Sequence, residues 1–448
     1  MRVRVGGACG RWEFVETNNG AVEVEYGNDL DIKKFGTGFV PEAKHPWDFN
    51  KLPSKSMLKL LFRDFPGLNT PWLYLGMMFA TFCWHVEDHA LFSVNVHHAG
   101  APKTWYGIPS TKARDFERAL LEHAPEAFKE NPDLIHQLVA LLSPSQCKLA
   151  DVPVYRLVQR PGEFVVTFPD AYHTGFSHGF NIAEAVNFAL PSWIPAGREA
   201  VARYGDEKSR RTQRKAIFSH DRMLWAACCE AAIEVGGNPT RIVGDPEGLA
   251  RVKLLRDELK VAIKQEMHYR WWCQEGAEEG YIQSVRQVEP PGRSEDDENC
   301  VLCQGCPYFS VVRCACSSTA PNGSASSSSS NGRPSMVCPR HLYVPPVLCK
   351  CSPGDPMLRT LEERVPFHYM QNVLHVLEVR CGADVTEPNE LKHNASPVDQ
   401  WRARKAWNTA NQRPAKRQRV ASEPMASAAG EAPADEERDA GAPAPSVE

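Results

Sequence analysis

The sequence predicts an α+β protein in which a β-rich part precedes a helical part and a cysteine-rich module. Short runs of alternating apolar and polar residues, such as residues 21–26 (AVEVEY), occur before about residue 200. Helical spacing of apolar residues replaces them in residues 200–232 and 245–272. Of the 15 cysteines, eight lie between residues 300 and 351. These three observations divide the chain into parts of different architecture.

Four segments carry the strand signal of the β-rich part. Residues 21–26 alternate cleanly and end at a Gly-Asn-Asp turn signal. The apolar run of residues 72–84 is interrupted by a glycine and a threonine, which predicts buried core strands. Residues 163–168 follow a Pro-Gly pair and predict another strand. Residues 181–190 are ambiguous by period between strand and helix.

Helical segments are predicted both inside the β-rich part and after it. Ser110 and Thr111 are candidate caps for a helix that runs through residue 128, and residues 132–142 predict a second helix. In the later helical part, Asp245 is a candidate N-cap followed by Pro246 at the first helical position.

Composition excludes several classes of protein. Of the 448 residues, 42% are apolar and 24% are charged, which excludes a wholly disordered chain, a collagen-like fibre and a small disulfide scaffold. The net charge of −4 supplies no global basic field, so contact with nucleic acid would need a local patch. The N-terminus has no signal-peptide core, and the longest apolar run is too short to span a bilayer. We therefore expect a soluble intracellular protein with no membrane partner.

A metal site is the first candidate for chemistry. His85 and Glu87 stand two residues apart, so on a strand their side chains would share one face. With His173, which lies 88 residues further on, they would form the 2-His-1-carboxylate triad of non-haem Fe(II) oxygenases. The His-x-Asp/Glu pattern arises by chance roughly twice in such a chain, so a core histidine beside a surface glutamate is the alternative. Lys103, in an aromatic setting, would suit the far carboxylate of a dicarboxylate co-substrate.

Longer motifs around these residues resemble a known family. Residues 82–109, 152–195 and 22–39 closely resemble the core of the JmjC-domain lysine demethylases, and most of all the JARID branch with its plant members. The similarity covers about residues 10–385. It implies a double-stranded β-helix (cupin or jelly-roll) JmjC domain, with a helical domain and a small two-zinc module.

The resemblance also implies an activity. Such enzymes are Fe(II)- and 2-oxoglutarate-dependent dioxygenases that use O2, and the JARID branch demethylates lysine 4 of histone H3. N-methyl hydroxylation followed by formaldehyde release would remove methyl groups from the tri- or dimethylated lysine, which would repress or tune transcription. Two alternatives stay open, namely a non-catalytic JmjC chromatin scaffold and a JmjC protein hydroxylase. The intact triad with Lys103 argues against the scaffold, and the zinc module argues against the hydroxylase.

Roles for individual residues follow from the same resemblance. The iron ligands would be His85, Glu87 and His173, which also form the catalytic set. Lys103 would pair with the far carboxylate of 2-oxoglutarate. The other residues of that pocket would be Tyr26 and Asn95, which hydrogen-bond the co-substrate, and Phe82, Ser93 and Trp105, which line it. Tyr74 would lie near the methylammonium group of the substrate, and plain core packing is the alternative for it.

Two places depart from the family pattern. Ser177 stands four residues after His173, where relatives commonly carry asparagine. Residues 96–101 (VHHAGA) replace a hydrophobic-aromatic segment that usually ends in Gly-Glu. Because the triad and Lys103 are intact, these departures bear on rate and specificity more than on activity.

The cysteine-rich module is a candidate for two zinc sites. Cysteine and histidine pairs separated by one or two residues let one turn present two ligands to one ion, and unrelated pairs or disulfides are the alternative. By resemblance to the JARID-type finger of five Cys, one His and two Cys, the pairs alternate between the ions. The first zinc would be held by Cys300, Cys303, Cys338 and His341. The second would be held by Cys314, Cys316, Cys349 and Cys351. Cys306 would be a spare thiol.

The expected organisation has five parts. These are a JmjC catalytic domain (residues 10–200), a helical domain (201–295), the zinc finger (296–352, with a Ser-rich loop at 317–335), a segment packing on the helical domain (353–390) and a disordered tail (391–448). The tail is basic and then rich in Ala, Pro and Glu.

Localisation and partners follow from the tail and the family. Arg402, Arg404 and Lys405 precede a second basic cluster at residues 416–419, a bipartite pattern that favours nuclear import. The expected partners are the methylated histone H3 tail and chromatin, with a weak DNA contact through this basic tail. A JmjN segment, which usually accompanies this domain, is not recognised in the chain. The sequence would then be truncated or the gene would have lost that segment.

Overall fold

A computed structural model describes most of the first 380 residues. The described residues are 12, 23–39, 46–61, 63–130, 142–204, 215–237, 245–278, 282–289, 299–300, 303–314, 335–339 and 359–380. All of them belong to a single structural unit.

Two antiparallel sheets form the β-rich part. The first contains β1 (Tyr26–Asp31), β2 (Trp72–Gly76), β4 (Phe92–Gly100), β7 (Phe164–Thr167) and β9 (Asn181–Phe188), in the order β1-β2-β9-β4-β7. The second contains β3 (Thr81–His85), β5 (Lys103–Gly107), β6 (Tyr155–Gln159) and β8 (His173–Ser177), in the order β3-β8-β5-β6. From β2 to β5 and again from β6 to β9, consecutive strands alternate between the sheets. This alternation is the double-stranded β-helix that the resemblance implied.

The inner faces of the two sheets touch through polar side chains. Gln159 of β6 donates its Nε2 hydrogen to Oδ1 of Asn95 on β4, at 3.2 Å. The sheets approach each other closely at Gly76, where an added Cβ would lie 2.7 Å from Oγ of Ser177 on the opposite sheet. Only glycine fits there, because a Cβ at that distance would collide with the facing strand.

Most strand predictions are confirmed, and the first one is wrong in position. Residues 163–168 contain β7, and the ambiguous residues 181–190 contain β9. The strand predicted at residues 21–26 instead begins at Tyr26 and runs through the predicted turn. Gly27 and Asp29 are accommodated by a bulge in the pairing with β2, where Asp29 has a φ of 57°. The turn signal therefore marks an irregularity within a strand.

The helices of the β-rich part differ from the prediction in one respect. A 3₁₀ turn (Ser110–Lys112) leads into α3 (Ala113–His123), and α4 (Pro125–Glu130) follows. The single helix predicted over this stretch breaks at Ala124, because the proline after it disfavours helical backbone there. The two short helices that precede these are α1 (Ile32–Phe35) and α2 (Leu52–Lys55). The helix predicted at residues 132–142 lies almost wholly outside the described residues.

One helix of this part was not predicted. α5 (Pro144–Leu149) begins with a capping box, in which Ser143 and Gln146 each accept the other's backbone N–H. The Ser-x-x-Gln spacing was the signal in the sequence that would have located it.

Four longer helices follow the barrel and share its largest hydrophobic core. They are α6 (Ile194–Tyr204), α7 (His220–Gly237), α8 (Pro246–Glu278) and α9 (Phe367–Arg380). The predicted cap is confirmed, since Asp245 accepts the N–H of Glu247 at 3.1 Å. Trp193, Phe218 and Leu259 are fully buried in a core that also contains Phe92 of β4. Burial of such side chains stabilises the fold by roughly 1.5–3 kcal/mol each.

A third sheet lies in the cysteine-rich part. It contains β10 (Ser284–Gln287), β11 (Ser310–Cys314), β12 (Ser335–Val337) and β13 (Arg359–Glu363), in the order β10-β13-β11-β12. Across the portion of the chain that the structure covers, no helix is both long and apolar enough to cross a membrane.

Candidate metal centre and co-substrate pocket

Three side chains converge at one end of the barrel. His85 ends β3 and pairs in register with His173, which begins β8. Glu87 follows β3 in extended conformation, so its side chain returns to the face of His85. The potential ligand atoms of the three residues all lie within 4.8 Å of one another. The sequence spacing and the strand pairing together bring the predicted triad into one cluster.

Backbone carbonyls orient both imidazoles. Nδ1 of His85 lies 2.8 Å from the carbonyl oxygen of Cys83, and Nδ1 of His173 lies 3.0 Å from that of Ala171. A carbonyl only accepts, so each Nδ1 carries the hydrogen and each Nε2 is the atom available for a ligand bond. Metal-binding histidines have this arrangement, in which the outer nitrogen is held by an acceptor. Two nitrogens and one carboxylate oxygen fit the 2-His-1-carboxylate donor set.

The carboxylate of Glu87 is held from its other side. Oε1 lies 3.3 Å from Nε2 of His173, while Oε2 accepts a hydrogen bond of 2.9 Å from Nδ2 of Asn187. Nδ2 of Asn187 also donates to the carbonyl oxygen of Phe92, at 3.1 Å. Asn187 thus directs one oxygen of Glu87 toward the imidazoles. Sequence reasoning missed this residue, and its place fourteen positions after His173 carries no signal by spacing alone.

The electrostatics of the cluster suit a cation. Burial, and then the neighbouring His173, lower the pKa of His85 to about 4, so that this imidazole is neutral at pH 7. Burial on its own would raise the pKa of Glu87, but its contacts with His173, His85 and Asn187 outweigh burial and lower the pKa to about 2. A neutral imidazole and an ionised carboxylate are the forms that bind metal.

The helical part braces the turn that carries Glu87. His89, two residues further on, has a φ of 54° and is fully buried. Its ring stacks on Phe218 with centroids 4.0 Å apart, and its Nε2 accepts the N–H of Ile217 at 3.0 Å. Trp193 donates its Nε1 hydrogen to the carbonyl oxygen of His89. These contacts hold a strained turn beside the candidate metal centre.

Lys103 provides a buried cation deeper in the barrel. Its side chain is almost completely buried on β5, and its Nζ lies 5.8 Å from the centre of the Tyr26 ring. Within the described residues no carboxylate pairs with it. Burial lowers the pKa of Lys103 to about 8. A buried amine without an acidic partner fits an anion that comes from outside the chain.

Two other predicted pocket residues, Phe82 and Trp105, lie beside the triad. Phe82 packs on Trp105 with ring centroids 4.6 Å apart and lies 6.4 Å from the ring of His173. Trp105 donates to Oε1 of Gln159 at 2.8 Å, and this amide in turn donates to Asn95. Gln159, which sequence reasoning did not single out, therefore links the pocket lining of the two sheets.

Ser93 and Tyr74 lie on the first sheet. Oγ of Ser93 is 2.5 Å from Oγ1 of Thr167. The hydroxyl of Tyr74 donates to Oδ1 of Asp29 at 3.4 Å, and its ring lies 6.2 Å from that of Tyr26. Burial, then the charge of Asp29, raises the pKa of Tyr74, and the charge of Glu87 acts in the same direction. The tyrosine is thus within electrostatic reach of the triad.

A second candidate metal site lies in the cysteine-rich part. The sulfur atoms of Cys300, Cys303 and Cys338 all lie within 4.8 Å of one another, and all three residues are buried. Cys306 is not among them, and its thiol donates to the carbonyl oxygen of Ala216 at 3.5 Å. Three thiols at this spacing fit a soft tetrahedral ion with a fourth ligand.

Five further zinc ligands were expected from the resemblance. His341, Cys316, Cys349 and Cys351 lie outside the described residues, and Cys314 is the last residue of β11.

Comparison with known proteins identifies the barrel. Residues 72–188 match the family model described as JmjC domain, hydroxylase. Lysine-specific demethylase 5D of Homo sapiens is 34% identical over 401 residues, which are 85% of this chain and 23% of that protein. The same figures hold for its counterpart in Pan troglodytes. Lysine-specific demethylase JMJ17 of Arabidopsis thaliana is 35% identical over 365 residues, 76% of this chain and 27% of that protein.

The alignments define how far the similarity reaches. The chain spans about a quarter of the length of the curated relatives it matches. The predicted triad, Lys103, and β2 to β9 all fall within the matched domain. The resemblance to the JmjC-domain lysine demethylases is therefore confirmed, and residues 72–188 of this chain form a JmjC domain.

Proposed function

We propose that the chain is an Fe(II)- and 2-oxoglutarate-dependent histone lysine demethylase that acts on tri- and dimethylated lysine 4 of histone H3. The observation that carries the proposal is the convergence of two imidazoles and one carboxylate at one end of the barrel, with a buried lysine deeper inside that has no acidic partner among the described residues. Similarity to proteins named lysine-specific demethylases supports the substrate class.

The proposal assigns a task to each part of the site. His85, Glu87 and His173 would hold Fe(II) through Nε2, Oε1 and Nε2. Lys103 would pair with the far carboxylate of 2-oxoglutarate. The remaining residues of the co-substrate pocket would be Tyr26, Asn95, Phe82, Ser93 and Trp105. Tyr74, whose hydroxyl is directed by Asp29, would contact the methylammonium group of the substrate. When bound, the iron supplies the redox chemistry with dioxygen.

The overall reaction balances without further reagents. One N-methyl group, dioxygen and 2-oxoglutarate give an N-hydroxymethyl group, succinate and carbon dioxide. The hydroxymethyl group then leaves as formaldehyde, and the amine keeps one hydrogen in its place. Because oxidation occurs at carbon, the substrate nitrogen needs no lone pair, and trimethyllysine is accessible. The protein contributes the placement of the methyl group and the exclusion of water from the buried pocket.

Localisation, partners and domain boundaries are further parts of the proposal. The chain would act in the nucleus on the methylated H3 tail in chromatin, and its basic tail would add a weak contact with DNA. Two zinc ions would be structural, the first held by the described thiols of Cys300, Cys303 and Cys338 with His341. The five-part division set out from the sequence would apply, with the barrel as the catalytic domain.

Mass spectrometry of methylated histone H3 peptides tests the proposal. The protein is incubated with Fe(II), ascorbate and 2-oxoglutarate, and its Glu87→Gln variant serves as the control that lacks the charged ligand. Loss of one methylene equivalent from the lysine 4 peptide, absent with the variant, is the expected result. Gain of one oxygen without loss would favour the hydroxylase. No change with folded, iron-loaded protein would favour the scaffold.

A further inference from the structure

His97 lies on the inner face of the barrel, at the end away from the triad. It stands on β4 two residues after Asn95, whose side chain meets Gln159 of the opposite sheet. Residues two apart on a strand share a face, so the ring of His97 also enters the barrel. The next residue, His98, points to the outer face of the barrel. Its Nε2 lies 3.2 Å from Oε2 of Glu184, a carboxylate that also accepts a hydrogen bond from Thr37.

The imidazole of His97 is buried without a hydrogen bond. The residue has 0% exposure, and neither of its ring nitrogens has a hydrogen-bond partner within the described residues. Burial and the nearby charge of Lys103 lower the pKa of His97, and the backbone of Ala101 and Gly100 opposes this without a hydrogen bond of ordinary length and angle. A buried polar ring in this state costs free energy unless it gains a partner.

Strand register puts His97 and Lys103 at the same depth in the barrel. On β8, Ser177 lies four residues beyond His173 and pairs with Lys103. On β4, His97 lies four residues beyond Ser93, which pairs with Asn187 at the triad end. At about 3.3 Å per residue, each of these four-residue intervals spans about 13 Å along its strand. Both side chains therefore belong to the same end of the pocket, opposite the triad.

The side chain opposite His97 on the neighbouring strand is small. His97 pairs with Ala183 on β9, and Ala183 pairs with Tyr74 on β2. Toward the triad the next inward positions on β9 and β2 are Ala185 and Trp72, and away from it they are Asn181 and Gly76. The position directly opposite His97 on β9 thus carries only a methyl group.

We propose that His97 donates a second hydrogen bond, beside the ion pair with Lys103, to the far carboxylate of the dicarboxylate co-substrate. This inference rests on the proposed function, because it assumes that 2-oxoglutarate occupies the pocket. A carboxylate oxygen accepts more than one donor, so Lys103 alone leaves acceptor capacity that His97 fills. His97 would then be a specificity-determining residue that favours dicarboxylates over 2-oxo acids with an uncharged end.

Ser177, the other departure in this region, lies at the same end. It pairs with Lys103 across the second sheet and is buried beside Gly76. Ser177 and His97 therefore lie together at the proposed site for the far carboxylate.

Calorimetry with two ligands tests the role of His97. Mn(II) replaces Fe(II) so that no turnover occurs, and binding is compared for 2-oxoglutarate and for 2-oxopentanoate, which lacks the far carboxylate. We expect His97→Leu to weaken 2-oxoglutarate about tenfold or more, the usual effect of losing a hydrogen bond to a charged group. Binding of 2-oxopentanoate should change little. His97→Gln, which restores an N–H donor, should recover most of the lost affinity.

Two controls separate this role from a structural one. His98→Leu removes a histidine from the outer face of the same strand and should leave the ratio of the two affinities unchanged. Lys103→Met should abolish most of that ratio. If His97→Leu does not fold, His97→Met repeats the test with a more flexible apolar side chain.

The outcomes distinguish the inference from the proposed function. An equal loss of affinity for both ligands, or no loss for either, would overturn the role of His97. Failure of the unmodified, folded and Mn(II)-loaded protein to bind 2-oxoglutarate would instead overturn the proposed function. Tight binding of 2-oxoglutarate by the unmodified protein with a changed ratio in His97→Leu is the result that supports both.

Discussion

Nδ2 of Asn187 donates to Oε2 of Glu87 at 2.9 Å and so decides which oxygen of that carboxylate faces the two imidazoles. The two residues are 100 positions apart in the sequence, and β9 and the turn after β3 bring them together. Because Asn187 also holds the carbonyl oxygen of Phe92, its amide is anchored on a rigid strand. The relationship makes Asn187 a positioning residue for the candidate metal centre.

Replacing Asn187 by leucine should weaken metal binding. The variant leaves Oε2 of Glu87 without its donor, and loss of such an outer partner typically costs about tenfold to a hundredfold in metal affinity. Titration of the metal-free protein with Mn(II) by calorimetry measures the effect. Unchanged affinity in a variant with normal thermal unfolding would show that Asn187 does not position Glu87.

Binding of 2-oxoglutarate should weaken as pH rises above about 8. Burial lowers the pKa of Lys103 to about 8, and the neutral amine no longer pairs with a carboxylate. The unfolded chain keeps this proton up to its ordinary pKa of 10.5. Between those values the unfolded state binds more protons, so the contribution of Lys103 to the free energy of unfolding rises with pH.

Calorimetric titrations of the Mn(II)-loaded protein at pH 7, 8 and 9 would follow the change in affinity. A matched series with Lys103→Met should give weak binding whose affinity does not fall between pH 7 and 9. An affinity for 2-oxoglutarate that does not change up to pH 9 would contradict the assignment of Lys103.

Tyr172→Phe should lower the free energy of unfolding by about 1 kcal/mol. The hydroxyl of this buried tyrosine donates to Oε1 of Glu117 at 3.0 Å, directly before His173 in the chain. Asp170, in the same loop before β8, pairs with Arg203 of α6 at 2.9 Å. Tyr172 and Asp170 thus hold this loop to α3 and α6. Urea unfolding measures the loss. Tyr155→Phe, at an exposed position of β6, is the matched control and should change nothing.

Removal of the thiol cluster should release zinc and destabilise the third sheet. Sγ of Cys303 lies 3.8 Å from Sγ of Cys338, and both residues are buried. Cys303→Ser should reduce the zinc content measured by atomic emission and lower the melting temperature. Cys229→Ser, a cysteine of α7 outside the cluster, should retain the full zinc content. Equal zinc content in the two variants would refute a metal role for Cys303.

The strands of the barrel illustrate what local pattern can predict. Residues 163–168 and the apolar run of residues 72–84 have periods and breaks that the structure follows. The bulge at Gly27 and Asp29 could not be predicted in this way, because a turn signal and a bulge use the same residues. Which of the two forms depends on the partner strand, and the partner lies about fifty residues further along the chain.

By itself, the sequence determined the α+β class, the pair of residues at His85 and Glu87, the candidate lysine and the clustered thiols. Each of these depends on residue type at short spacing, which is local information. Tertiary structure alone decided that Asn187 supports Glu87 and that Gln159 links the two sheets. It also decided that His97 lies at the same depth in the barrel as Lys103. These relationships arise from strand register between distant segments, and register is set by how the whole barrel packs rather than by any short stretch of the chain.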